Sequence, residues 1–118
     1  MNAPDAPRLA VLDYGIGNLR SAEKAFQHAG ADAFLTADPR QVARADAVVL
    51  PGVGAFGRCR EALADTGLDR VASDAVASGR PFMGICVGMQ LLYESGIGRV
   101  MRGETTFDEV RRTLSDAR

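Results

Sequence analysis

Tryptophan is missing from this chain of 118 residues, histidine occurs once, and cysteine occurs twice. Cys59 sits in a polar helical pattern and Cys86 at the end of an apolar run, with no sign of pairing. A chain of this size can bury about 65% of its unfolded surface, so neither a disulfide framework nor a structural metal is needed. Charge of one sign is not in excess either: 14 basic and 15 acidic side chains leave a net charge of -1 and an isoelectric point near 5.8. That balance offers no basic field for nucleic acid. Long apolar runs are absent, the longest mostly apolar one, residues 47–57, being far short of the roughly 18 residues that a membrane span needs. Residues 1–7 have neither the basic nor the apolar region of a secretory signal. Disorder is excluded by a hydrophobic fraction of 47%. The expectation is one compact cytoplasmic domain, with neither nucleic acid nor a membrane as partner.

What is present alternates. The run Leu9-Ala10-Val11-Leu12 reads as a buried strand stopped at Asp13, followed by a glycine turn and a helix capped by Asn18 with Leu19, Ala22, Phe26 and Ala29 on one face. Ala33 to Thr36 reads as a second strand, Asp38-Pro39 as the cap and first residue of a short helix through Ala43, and Ala47 to Leu50 as a third strand. A loop with three glycines, residues 51–57, precedes helical patterns from Arg58 to Ala64 and from Leu68 to Ala77. Pro81 to Ile85 reads as a fourth strand running into Cys86, and Val87 to Glu94 as a helix. Such alternation predicts an α/β domain with a parallel sheet and flanking helices. In these sheets chemistry sits at the strand carboxyl ends, where the loops after Asp13, Leu50 and Ile85 fall.

Gly84-Ile85-Cys86-Val87-Gly88 has the form glycine-x-nucleophile-x-glycine, in which the glycines permit a sharp strand-to-helix turn. A thiol placed there meets the positive end of a helix dipole, and neighbouring backbone N–H groups can stabilise an oxyanion. The alternative is a buried cysteine packing as a small hydrophobe. Gly52-Val53-Gly54-Ala55-Phe56-Gly57 spells the dinucleotide-binding glycine pattern, but the following strand does not close on the acidic residue that a ribose requires. A loop offering N–H groups to an anion or oxyanion fits better, with a plain tight turn as the alternative. His28 lies near the end of the first helix and reads as a surface residue.

The first 95 residues resemble the glutaminase subunit of imidazole glycerol-phosphate synthase, a class I, triad-type glutamine amidotransferase family of histidine biosynthesis. Three ordered motifs carry the resemblance: Asp13-Tyr14-Gly15-Ile16-Gly17-Asn18-Leu19, Leu50-Pro51-Gly52-Val53-Gly54-Ala55-Phe56, and Gly84-Ile85-Cys86-Val87-Gly88-Met89-Gln90-Leu91-Leu92. The resemblance implies a truncated flavodoxin-like fold. It also implies that Cys86 attacks the side-chain amide of glutamine, that Gly52, Val53 and Val87 form the oxyanion hole, and that Gly54 and Gln90 help to hold the substrate. No cofactor or metal is implied. The partner implied is a (β/α)8-barrel cyclase that consumes the ammonia.

The family's catalytic histidine and glutamate come from a region well beyond the elbow. None of residues 87–118 is histidine. The expectation is that the isolated chain is inactive, as an amino-terminal part of an amidotransferase or a chimera built on one, with an open sheet edge through which it self-associates. Residues 96–118 differ in composition, nine of the 23 being charged, and a capping box at Thr106 and Glu109 opens a helical pattern with Phe107, Val110 and Leu114 on one face. This tail resembles the carboxyl end of the type II secretion and type IV pilus assembly ATPases, or is simply a generic capped helix. Two other readings stay open: a non-catalytic binding or assembly module, and a nucleotide-binding flavodoxin-like domain.

Overall fold

In a computed structural model of the chain, residues 5–16 and 19–94 are described. Among the described residues nine elements follow one another: β1 (Arg8–Leu12), α1 (Leu19–His28), β2 (Asp32–Thr36), α2 (Pro39–Arg44), β3 (Ala47–Gly52), α3 (Phe56–Asp65), α4 (Leu68–Ala77), β4 (Phe82–Cys86) and α5 (Val87–Glu94). The four strands pair in parallel in the order β2-β1-β3-β4. This is the α/β architecture with flanking helices that the alternation predicts, consistent with a flavodoxin-like sheet. The expectations that fall on Asn18 and on residues 96–118 lie outside the described residues.

The strands read as near-continuous apolar runs because a parallel sheet with helices on it is buried on both faces. Ala10, Val11 and Leu12 of β1 and Val48, Val49 and Leu50 of β3 are all buried. Alternation then sends Ala10, Leu12, Val48, Leu50 and Phe82 into one core. There they meet Cys59 and Leu63 of α3, Leu68, Ala72, Ala75 and Val76 of α4, and Leu91 and Leu92 of α5. The other face carries α1, which packs mainly on β2. Among the described residues β4 is a sheet edge, and Met83 on it is 38% exposed.

Two local signals set where helices begin and end. The Asp38 carboxylate accepts from the Arg40 backbone N–H at 2.9 Å, capping α2, with Pro39 in its first turn. That bond, chiefly, with help from the Arg40 side chain and the Arg44 charge, holds the Asp38 carboxyl below the usual carboxylate range. A lowered folded-state pKa stabilises the protein above the unfolded value of about 3.9, and the contribution is lost as pH falls through the folded value. Asp38→Asn keeps a capping oxygen but not the charge. Its melting temperature is therefore expected to lie below that of the parent at neutral pH, with the gap closing as acid is added below about pH 4. A gap that stays constant in thermal melts across that range would contradict this. The second signal is glycine: Gly30, Gly67 and Gly79, each with positive φ, stand where α1, α3 and α4 give way to the next element.

One helix starts earlier than its pattern. α3 begins at Phe56, two residues before Arg58, because Phe56 packs against the core and the helix is capped by Ala55 without a side-chain hydrogen bond. No polar capping residue marks that start in the sequence.

Candidate active site

Parallel strands bring the carboxyl ends of β1, β3 and β4 to one end of the sheet, with β3 between the other two. The register sets Gly52, the last residue of β3, directly beside Cys86, the last of β4. The glycine loop and the thiol are thus neighbours across a single ladder step.

At the end of β4 the chain passes from strand to helix with no residue between, because Cys86 closes β4 and Val87 opens α5. So abrupt a turn forces Cys86 to φ +56, and among the described residues it is the only one other than glycine with positive φ. A side chain held there costs about 1–3 kcal/mol, which the surrounding packing must offset. The thiol is exposed at the amino end of α5. There the first N–H groups of the helix have no partner within it, and the dipole is positive.

The flanking glycines are explained by close approach. A methyl group on Gly88 would lie 1.9 Å from the Leu50 carbonyl oxygen, and one on Gly84 would lie 2.6 Å from the Met89 Cα. One on Gly52 would come 2.6 Å from the Gly88 nitrogen and 3.0 Å from the Val87 carbonyl carbon. All four neighbours are backbone atoms, so no rotation of a side chain could relieve them. The absence of side chains at these three positions is what lets α5 start against β3 and β4.

Of the residues singled out in the sequence, Gly52, Cys86 and Val87 meet here. Val53 and Gly54 continue the same loop, Val53 with 48% of its surface exposed and Gly54 at φ +83, the turn geometry expected of a glycine there. Gln90 is exposed on α5, one turn beyond Cys86. His28 is exposed and ends α1, which runs back along the sheet from the carboxyl end of β1 to the start of β2. It therefore stands at the opposite end of the sheet from Cys86, as a surface residue. Asp13 is at the same end as the thiol, but its carboxylate accepts from the Gly15 N–H at 3.2 Å and closes its own turn. Among the described residues no group of three or more His, Cys, Asp or Glu side chains is placed to hold a metal ion, and no helix is long and apolar enough to cross a membrane.

Two buried side chains underneath the loop were not singled out in the sequence. The Tyr14 hydroxyl donates to the Pro51 carbonyl, and the Cys59 thiol donates to the Val53 carbonyl at 3.2 Å. Burial, and then the neighbouring Cys59 thiol, push the Tyr14 hydroxyl well above its ordinary pKa, so it stays a donor. Nothing in the spacing of Tyr14, Pro51, Val53 and Cys59 announces these bonds, since both depend on how β1 and α3 settle against β3.

The two cysteines thus differ sharply in access. Iodoacetamide is expected to modify Cys86 in the native protein and Cys59, which has no exposed surface, only after denaturation. Peptide mapping by mass spectrometry checks this, and equal modification of both would contradict the packing of α3.

Comparison with known proteins agrees with this architecture. The glutamine amidotransferase class-I family profile matches residues 10–116. The imidazole glycerol phosphate synthase subunit HisH of Thermobifida fusca (strain YX) is 50% identical over 91 residues, 77% of this chain and 43% of the relative. The protein of the same name from Salinibacter ruber (strain DSM 13855 / M31) is 52% identical over 86 residues, 73% of this chain and 39% of the relative. That from Mycobacterium bovis (strain ATCC BAA-935 / AF2122/97) is 48% identical over 92 residues, 78% of this chain and 45% of the relative. The chain spans less than half the length of these curated relatives. With a strand-to-helix turn built around Cys86 and a family match that covers most of its length, the chain belongs to the class I glutamine amidotransferases.

Proposed function

We propose that these residues supply the nucleophile and the oxyanion-binding backbone of a glutaminase site that feeds ammonia to imidazole glycerol phosphate synthesis, in histidine biosynthesis. The observation that carries the reading is the strained, exposed Cys86 at the start of α5, set beside Gly52 of the glycine loop. Its thiolate adds to the side-chain carbonyl carbon of glutamine, and the carbonyl oxygen becomes an oxyanion held by backbone N–H groups of Gly52, Val53 and Val87. Gly54 and Gln90 hold the rest of the substrate. The carbon–nitrogen bond then breaks, the nitrogen leaves as ammonia with a proton from a general acid, and the thioester on Cys86 is cleaved by water to glutamate and free thiol. A (β/α)8-barrel cyclase takes the ammonia.

The general base and its orienting acid come from residues outside this stretch or from another chain. His28 is the one histidine in the sequence, and it is at the far end of the sheet from the thiol. Without a base the 118 residues alone turn over no glutamine, because members of such a triad act as a unit. Among the described residues the outer edge of β4 carries no further strand, and in this reading it pairs with another strand or with a second copy of the chain.

The test is to splice residues 1–94 of this chain onto the remaining length of the Thermobifida fusca relative and to measure ammonia from glutamine in the presence of that organism's cyclase. Activity in the spliced protein, none in the 118-residue chain, and loss on replacing Cys86 is the expected pattern. A spliced protein that folds and binds the cyclase but releases no ammonia would overturn the reading.

A further inference from the structure

The bonds beneath the glycine loop hold its backbone from below. Val48 donates its N–H to the Pro81 carbonyl at 3.0 Å, so by the alternation of a parallel ladder Val48, Leu50 and Gly52 turn their backbone groups toward β4, and Val49 and Pro51 turn theirs toward β1. The pairing of β1 with β3 ends at Val11 and Val49. The Pro51 carbonyl therefore points past the end of the β1–β3 pairing, where among the described residues no strand donates to it, and proline brings no N–H of its own that would need a partner. The Tyr14 hydroxyl, two residues beyond the end of β1, supplies the missing donor. Beyond Gly52 the loop leaves the ladder, and the next carbonyl on the core side, that of Val53, is taken by the Cys59 thiol.

A trans peptide is planar, with its C=O and N–H pointing in opposite directions, so fixing one end fixes the other. Holding the Pro51 carbonyl fixes the Gly52 N–H, and holding the Val53 carbonyl fixes the Gly54 N–H. The Gly52–Val53 peptide lies between these two clamped units. We propose that Tyr14 and Cys59 are positioning residues that set the orientation of the oxyanion-binding backbone, Tyr14 through the Pro51 carbonyl and Cys59 through the Val53 carbonyl. Neither side chain reaches the substrate. This rests on the glutaminase reading of Cys86 above.

The test compares two reagents on Cys86 in the 118-residue chain. A chloroketone analogue of glutamine reacts through addition of sulfur to its carbonyl, which forms an oxyanion before chloride leaves. Iodoacetamide loses iodide by direct displacement at a saturated carbon and forms none. Both are run at about pH 9, so that neither reaction waits on a general base. Tyr14→Phe is expected to slow the chloroketone by about tenfold or more, short of the hundredfold typical when an oxyanion donor is removed outright, and to leave the iodoacetamide rate unchanged. Cys59→Ala should behave in the same way, and Cys59→Ser, which keeps a donor, should retain the parent rate. Protection of Cys59 from iodoacetamide reports folding of Tyr14→Phe, and the Cys59 variants carry the test if that protection is lost. Parent labelling by the chloroketone with both variants unchanged, or both reagents slowed equally, overturns the brace alone. No chloroketone labelling of the parent overturns both this inference and the glutaminase reading.

Discussion

Replacing Cys86 by alanine in the spliced amidotransferase is expected to lower ammonia release by about ten-thousand-fold or more, because a covalent route loses its nucleophile and no neighbouring group can substitute. Cys59 cannot take over: it is buried in α3 with its thiol engaged by the Val53 carbonyl. Binding of the cyclase and the cooperativity of unfolding should survive. Relief is even expected at that position in one variant, since glycine adopts φ +56 without strain, so Cys86→Gly should be inactive yet no less stable than the alanine variant. An inactive Cys86→Ala that also fails to fold would show a structural role instead. Ammonia assays run beside thermal melts separate the two outcomes.

Gly88→Ala is expected to be the most damaging single change to stability. The added methyl would fall 1.9 Å from the Leu50 carbonyl oxygen, with the Leu50 carbonyl carbon at 2.8 Å behind it. Both are backbone atoms of a central strand, so α5 must lift off β3 or β3 must bend. Overpacking usually costs about 1–3 kcal/mol, and a clash with fixed backbone belongs at or beyond the top of that range. Against a total stability of about 5–15 kcal/mol, this removes a large share and lowers the melting temperature by about 10 °C or more. Gly57→Ala is the internal control: it lies in the first turn of α3 with nothing within 4 Å of the new methyl. There alanine should be neutral or stabilising by up to about 1 kcal/mol. Denaturant melts of the two variants side by side check the contrast, and a Gly88→Ala protein as stable as its parent would refute the close approach of α5 to β3.

The contrast between these two glycines shows what could be read along the chain and what could not. Elements were legible because their signals are local: apolar runs in β1 and β3, Asp38-Pro39 at the start of α2, and the glycines after α1 and α4. The elbow was legible for the same reason, since glycine-x-cysteine-x-glycine places every part of the turn within five residues. What Gly88 touches is a different matter. Its neighbour is Leu50, 38 residues earlier, and only the register of β3 with β4 brings them together. Tyr14 and Cys59 were hidden for this reason too. Tyr14 lies in the glycine-containing motif after β1 and Cys59 in a helical pattern, but the carbonyls that they hold belong to a loop whose path is set by the sheet. The start of α3 at Phe56 escaped because packing against the core, not a capping side chain, begins that helix.

The proposed glutaminase site makes Cys86 a nucleophile set beside an oxyanion-binding loop shaped for glutamine. The most direct measurement is peptide-level mass spectrometry of the 118-residue chain after exposure to the chloroketone analogue of glutamine, with and without excess glutamine. One adduct on Cys86, none on Cys59, and a rate slowed by glutamine is the predicted result. Modification of Cys86 at a rate that glutamine leaves unchanged, or no modification of Cys86 at all, would contradict it.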